Sequence, residues 1–150
     1  MSGFPDILNT LKVFIMVRVR VPATTANLGP GYDVLGLALK LYNTVEIEKS
    51  DKLSIEIEGE GANSLPKDES NIAYQAAQEV FIKLKTQNPK LKIRLVNNIP
   101  LARGLGSSSA ARMGALVAAN KLMGNKLSHD EILTIAAGLE GHPDNVVPAL

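Results

Sequence analysis

The sequence predicts an α+β domain, a mostly antiparallel sheet packed against helices. Three features carry that expectation. Apolar and polar residues alternate with period two in several separate segments, the period shifts to the helical 3.6 between and after them, and the order is mostly strands first and helices later. That order disfavours a doubly wound sheet. At 150 residues and 45% hydrophobic content the chain has material for one core.

Val17-Arg18-Val19-Arg20-Val21 alternates apolar and basic residues and reads as a strand with one buried face, which Pro22 is expected to end. Ala23 to Tyr32 then reads as a loop, with Asn27-Leu28-Gly29-Pro30-Gly31 concentrating residues that permit tight backbone. Val34 to Glu48 reads as extended, and Leu53-Ser54-Ile55-Glu56-Ile57-Glu58 alternates cleanly, so these segments are expected to be sequential antiparallel strands. From Asn71 to Lys85 the apolar residues Ile72, Ala76, Ala77, Val80, Phe81 and Leu84 form one helical stripe. Leu91 to Val96 restores alternation before Asn97-Asn98-Ile99-Pro100 breaks it. Ser107 to Met123 is rich in good helix formers, and Ser128 with Glu131 makes a capping box for a last helix running to about Glu140.

The segment that carries chemistry is Pro100-Leu101-Ala102-Arg103-Gly104-Leu105-Gly106-Ser107-Ser108-Ser109-Ala110, between a strand and a long helix. Glycines let backbone approach an anion, unpaired amides at a helix start point outward, and the helix dipole favours negative charge there. Serine hydroxyls add donors and an oxygen suited to Mg²⁺. A glycine-rich turn with a serine N-cap explains the same residues equally well. A Walker A loop is excluded because Ser107 follows Gly106 where a lysine is required, and the dinucleotide fingerprint fails because Ser109 stands at the third glycine.

Pro-x-x-x-Gly-Leu-Gly-Ser-Ser-Ser-Ala resembles the signature of the GHMP kinases. Two further segments, Arg20 to Asp33 and Glu140-Gly141-His142-Pro143-Asp144-Asn145-Val146-Val147-Pro148-Ala149, resemble the homoserine-phosphorylating branch of that superfamily. The resemblance implies the GHMP kinase N-terminal fold, of the ribosomal protein S5 domain 2 type. Met16 stands directly before the alternating strand, so residues 1–15 read as an N-terminal extension or a misplaced start, and the resemblance implies an ATP-binding domain over 16–150, with the C-terminal GHMP domain absent from this chain. It also implies transfer of the ATP γ-phosphate to the hydroxyl of L-homoserine, a step of threonine biosynthesis in the cytoplasm.

For individual residues, the resemblance implies that Pro100 to Ser109 binds ATP, that Ser108 and Glu140 serve Mg²⁺, and that Asn71 lies near the nucleotide base. Asn71 reads equally well as a helix N-cap. Asn27, Asp33, His142 and Asn145 would surround the substrate, Asp33 facing its ammonium and His142 its carboxylate or hydroxyl. Related mevalonate-type kinases carry an aspartate near Asn145; an amide cannot take a proton, so Asn145 is expected to orient the hydroxyl. Arg103 could reach a phosphate, but an exposed loop arginine is more often solvated.

The bulk numbers restrict partners further. Sixteen Lys and Arg against fifteen Asp and Glu give a net charge of +1, which does not favour nucleic acid. There is no cysteine, and two histidines offer little to zinc. No run approaches the ~20 apolar residues of a bilayer span, so no membrane partner is expected. A small-molecule substrate is the expected partner, with a homodimer left open.

Overall fold

The computed structural model describes residues 15–25 and 36–141. Their elements are β1 (Met16–Thr25), β2 (Leu37–Ser50), β3 (Ser54–Gly59), α1 (Ile72–Lys83), β4 (Lys90–Asn97), α2 (Ser107–Leu122) and α3 (His129–Glu140). The strands form one sheet in the order β1-β2-β4-β3. β2 is antiparallel to β1 and β4, whereas β3 runs parallel to β4.

Register turns the period-two pattern into a core. Val17, Ile47, Ile93 and Ile55 align across the four strands, and so do Val19, Val45, Leu95 and Ile57. Six of these eight are buried, and Val17 and Val19, on the edge strand, pack against them. Each fully buried aliphatic side chain contributes about 1.5–3 kcal/mol relative to exposure. The helices cover this face: α1 buries Ala73, Ala76, Ala77, Val80 and Phe81. α2 approaches more closely, because Gly114 has no side chain: a Cβ there would stand 2.6 Å from Val45 Cγ2.

The structure corrects two expectations. Pro22 does not end its strand. It pairs opposite Tyr42, a register shift follows between Pro22 and Thr24, and β1 continues to Thr25. β1 is an edge strand, where a missing N–H can face away from the ladder. The strand over Leu53–Glu58 is not β2's neighbour either. The long connection through α1 allows a parallel crossover, and the intervening place goes to β4, whose Leu91, Ile93 and Leu95 are buried. Short β3, with Glu56 and Glu58 exposed, suits an edge. The predicted helices and the capping box are present, the latter formed by Ser128 and Glu131 in both directions.

The expected substrate residues Asn27, Asp33, His142 and Asn145, and the extension except for Ile15, lie outside the described residues.

Candidate active site

The connection from β4 to α2 has an unusual backbone. Ala102, Gly104 and Gly106 all have positive φ, at 54°, 69° and 71°, while Arg103 and Leu105 between them do not. Alternation of hand turns successive N–H groups toward one side, the geometry of an anion-binding nest. An alanine in the left-handed region costs about 1–2 kcal/mol, so the turn is held by its surroundings.

Gly106 is the N-cap of α2 and supplies no side-chain cap. A serine N-cap is therefore not what the structure contains: Ser107 is already the first helical residue. The first amide used within the helix is that of Ala110, which donates to Gly106 O at 2.9 Å. Among the described residues the amides of Ser107, Ser108 and Ser109 have no acceptor. They lie where the helix dipole favours an anion.

The loop is fixed from behind and open in front. Thr24 N donates to Leu105 O at 2.9 Å. The buried amide of Asn43 accepts from Asn98 N at 2.8 Å and Ile99 N at 2.9 Å, and it donates to Ser107 Oγ at 3.4 Å. Ala102, Arg103, Gly104 and Ser108 are exposed. No feature of the sequence singled out Asn43, since a polar residue in a strand gives no sign of a loop packing onto it.

Glu140, the last residue of α3, faces α2, where its Oε1 accepts from Arg112 Nη1. Arg112 stands four residues after Ser108, on the same helix face and about one turn along. The carboxylate is thereby held against α2 on the helix face that Arg112 shares with Ser108. Arg112 was not expected from the sequence; its spacing from Ser108 was the available signal. The donors on this face, a serine hydroxyl and a carboxylate, are all oxygen, the set Mg²⁺ prefers alongside phosphate and water.

Asn71 caps α1: its Oδ1 accepts from Ala73 N at 2.9 Å and its Nδ2 donates to Pro66 O at 2.7 Å. It also lines a cleft of about 110 Å³ beside the loop, walled largely by Leu65, Pro66, Leu95 and Leu101 and reaching Ser107 and Ser108. The segments carrying the four expected substrate residues join the described structure at Thr25, next to the Thr24–Leu105 bond, and at Gly141, next to Glu140.

Residues 71–150 match the GHMP kinases N terminal domain. The chain is 52% identical over 135 residues to the homoserine kinase of Moorella thermoacetica, covering 90% of this chain and 46% of that protein. It is 53% identical over 136 residues to that of Carboxydothermus hydrogenoformans, covering 90% and 45%. It thus spans about half the length of these relatives. Homoserine kinase from Cytophaga hutchinsonii superposes with a TM-score of 0.77 at 34% identity, over 89% of this chain and 45% of that one. Mevalonate kinase from Methanococcus jannaschii shares the fold, with a TM-score of 0.68 at 19% identity over 91% of this chain and 51% of the other. Matched over more than half of its length, the chain belongs to the GHMP kinase family, whose N-terminal domain it carries.

Proposed function

We propose that the protein phosphorylates the side-chain hydroxyl of L-homoserine from ATP, giving O-phospho-L-homoserine and ADP. The observation that carries this reading is the alternating backbone over 102–106 opening onto uncapped amides of α2, with Glu140 bonded to Arg112 of that helix. Similarity to homoserine kinases at 52–53% identity supports homoserine as the substrate.

In this reading the amides of Gly104 to Ser109 receive the ATP phosphates. The apolar cleft beside Asn71 takes the flat face of the base. Asn71 lends its position to that wall, its amide being already engaged with backbone. Ser108 and Glu140 would hold Mg²⁺, which when bound neutralises phosphate charge as the leaving oxygen departs. Asn27, Asp33, His142 and Asn145 surround the amino acid. Asn145 orients its hydroxyl in line with the γ-phosphorus; the new O–P bond forms as the bond to the β-phosphate oxygen breaks, and the hydroxyl proton passes to the γ-phosphate. Phosphoryl transfer depends chiefly on alignment and charge neutralisation, so an amide suffices where no strong base is needed. Placement in threonine biosynthesis and in the cytoplasm follows from the same reading.

The test is formation of phosphohomoserine from MgATP and homoserine by the complete gene product, with other small alcohols as competitors. Asn145→Ala is expected to lower kcat at least tenfold; unchanged turnover would remove Asn145 from the mechanism. Preference for another alcohol would retain the kinase and discard homoserine, whereas nucleotide binding without transfer to any acceptor would leave a binding module.

A further inference from the structure

We infer that Arg112 is a positioning residue for Glu140, holding one carboxylate oxygen so that the other is presented to a divalent cation. The inference rests on the kinase reading and adds to it a residue that neither the signature loop nor the third motif contains.

The side chains of Arg112 and Glu140 are only 22% and 10% exposed, so this pair is largely withdrawn from solvent. Exposed ion pairs contribute little; a pair this far buried needs good geometry to recover its desolvation cost. Only Oε1 of Glu140 is engaged, and among the described residues Oε2 has no partner. Helical side chains lean toward the N-terminus, so Arg112 extends toward the turn that carries Ser108. A guanidinium offers donors and no acceptor, so Arg112 cannot replace Glu140 as a metal ligand. What it can do is fix the carboxylate, the role that hydrogen-bonded partners of metal-ligating carboxylates commonly perform.

α3 gives the arrangement a reason. Glu140 is the final residue of its helix, immediately before the left-handed Gly141. A carboxylate on a fraying last turn would lose orientation, and an ion pair to the well-packed α2 restores it. Among the described residues Arg112 is the one cation bonded to Glu140.

The experiment measures Mn²⁺ binding by the paramagnetic resonance of the free ion, with ADP present, for the unsubstituted protein, Arg112→Met and Arg112→Lys. Arg112→Met is expected to weaken nucleotide-dependent Mn²⁺ binding about 10–100-fold, with metal-free ADP affinity retained and Arg112→Lys falling in between. A merely structural tether would lower the melting temperature and leave Mn²⁺ affinity alone, which overturns the inference. Tighter Mn²⁺ binding by Arg112→Met overturns it too, because Arg112 would then be competing with the metal. Should Arg112→Met fail to fold, Arg112→Gln takes its place with the same expected result. If the unsubstituted protein with ADP holds Mn²⁺ no better than ADP alone, the kinase reading fails, and this inference with it.

Discussion

Asn43 holds the entrance to the glycine-serine loop. Its side chain is buried within β2, and its carbonyl oxygen satisfies two amides just past the end of β4. Asn98 is exposed and could turn to water, but Ile99 is fully buried, so its amide has no substitute acceptor. Asn43→Leu should therefore cost about 1–3 kcal/mol in urea unfolding, the penalty of one buried donor left dry, and should weaken ADP binding. Unchanged stability would mean that the loop does not depend on this amide. The sequence could show Gly104 and Gly106, because positive φ selects glycine. It could not show Asn43 or Arg112, whose partners lie 55 and 28 residues away.

At the level of elements, α2 carries the loop, and its closeness to the sheet sets where the loop sits. Gly114 allows that approach: a Cβ would meet Val45 Cγ2 at 2.6 Å and Val21 Cγ2 at 3.1 Å, both on stiff β-branched side chains. Gly114→Val should destabilise by about 1–3 kcal/mol through overpacking, with the melting temperature falling by about 2–4 °C per kcal/mol. α3 depends on its first turn. The Ser128 amide holds the Glu131 carboxyl below its ordinary value of 4.5. A carboxyl depressed on folding stabilises above its unfolded pKa and loses that contribution as pH falls through the folded one. The melting temperature of Glu131→Ala should thus lie below that of the unsubstituted protein at neutral pH, and the gap should narrow as pH falls below about 4.5. A gap independent of pH would assign the effect to helix propensity. The capping box was legible because it is local, a serine followed three residues later by glutamate. β3's place at the sheet edge was not, since alternation marks a strand without naming its neighbour.

Across the whole molecule, the two faces of the sheet do different work. Residues such as Val45 and Ile47 face the helices, which carry the glycine-serine loop and Glu140. The residue between them, Glu46, points the opposite way and joins a ladder of charge that crosses all four strands. Arg18 of β1 contacts Glu46 of β2 at 2.7 Å, Arg94 of β4 reaches Glu46 at 3.3 Å, and Arg94 reaches Glu58 of β3 at 2.8 Å. Glu46 is the centre of this ladder, its side chain 7% exposed beneath guanidiniums that are 60% and 36% exposed. Replacing it with alanine leaves Arg18 without its carboxylate and Arg94 with Glu58 alone, although both guanidiniums can still be hydrated. Glu46→Ala should therefore lower the urea midpoint at low salt, and 1 M salt, which cuts the screening length to about 3 Å, should recover part of the loss. ADP affinity should not change, because the ladder and the loop over 102–106 are separated by the thickness of the sheet and its core. A loss of ADP binding without a loss of stability would show that the two faces are coupled, and would deny the outer face its purely structural role.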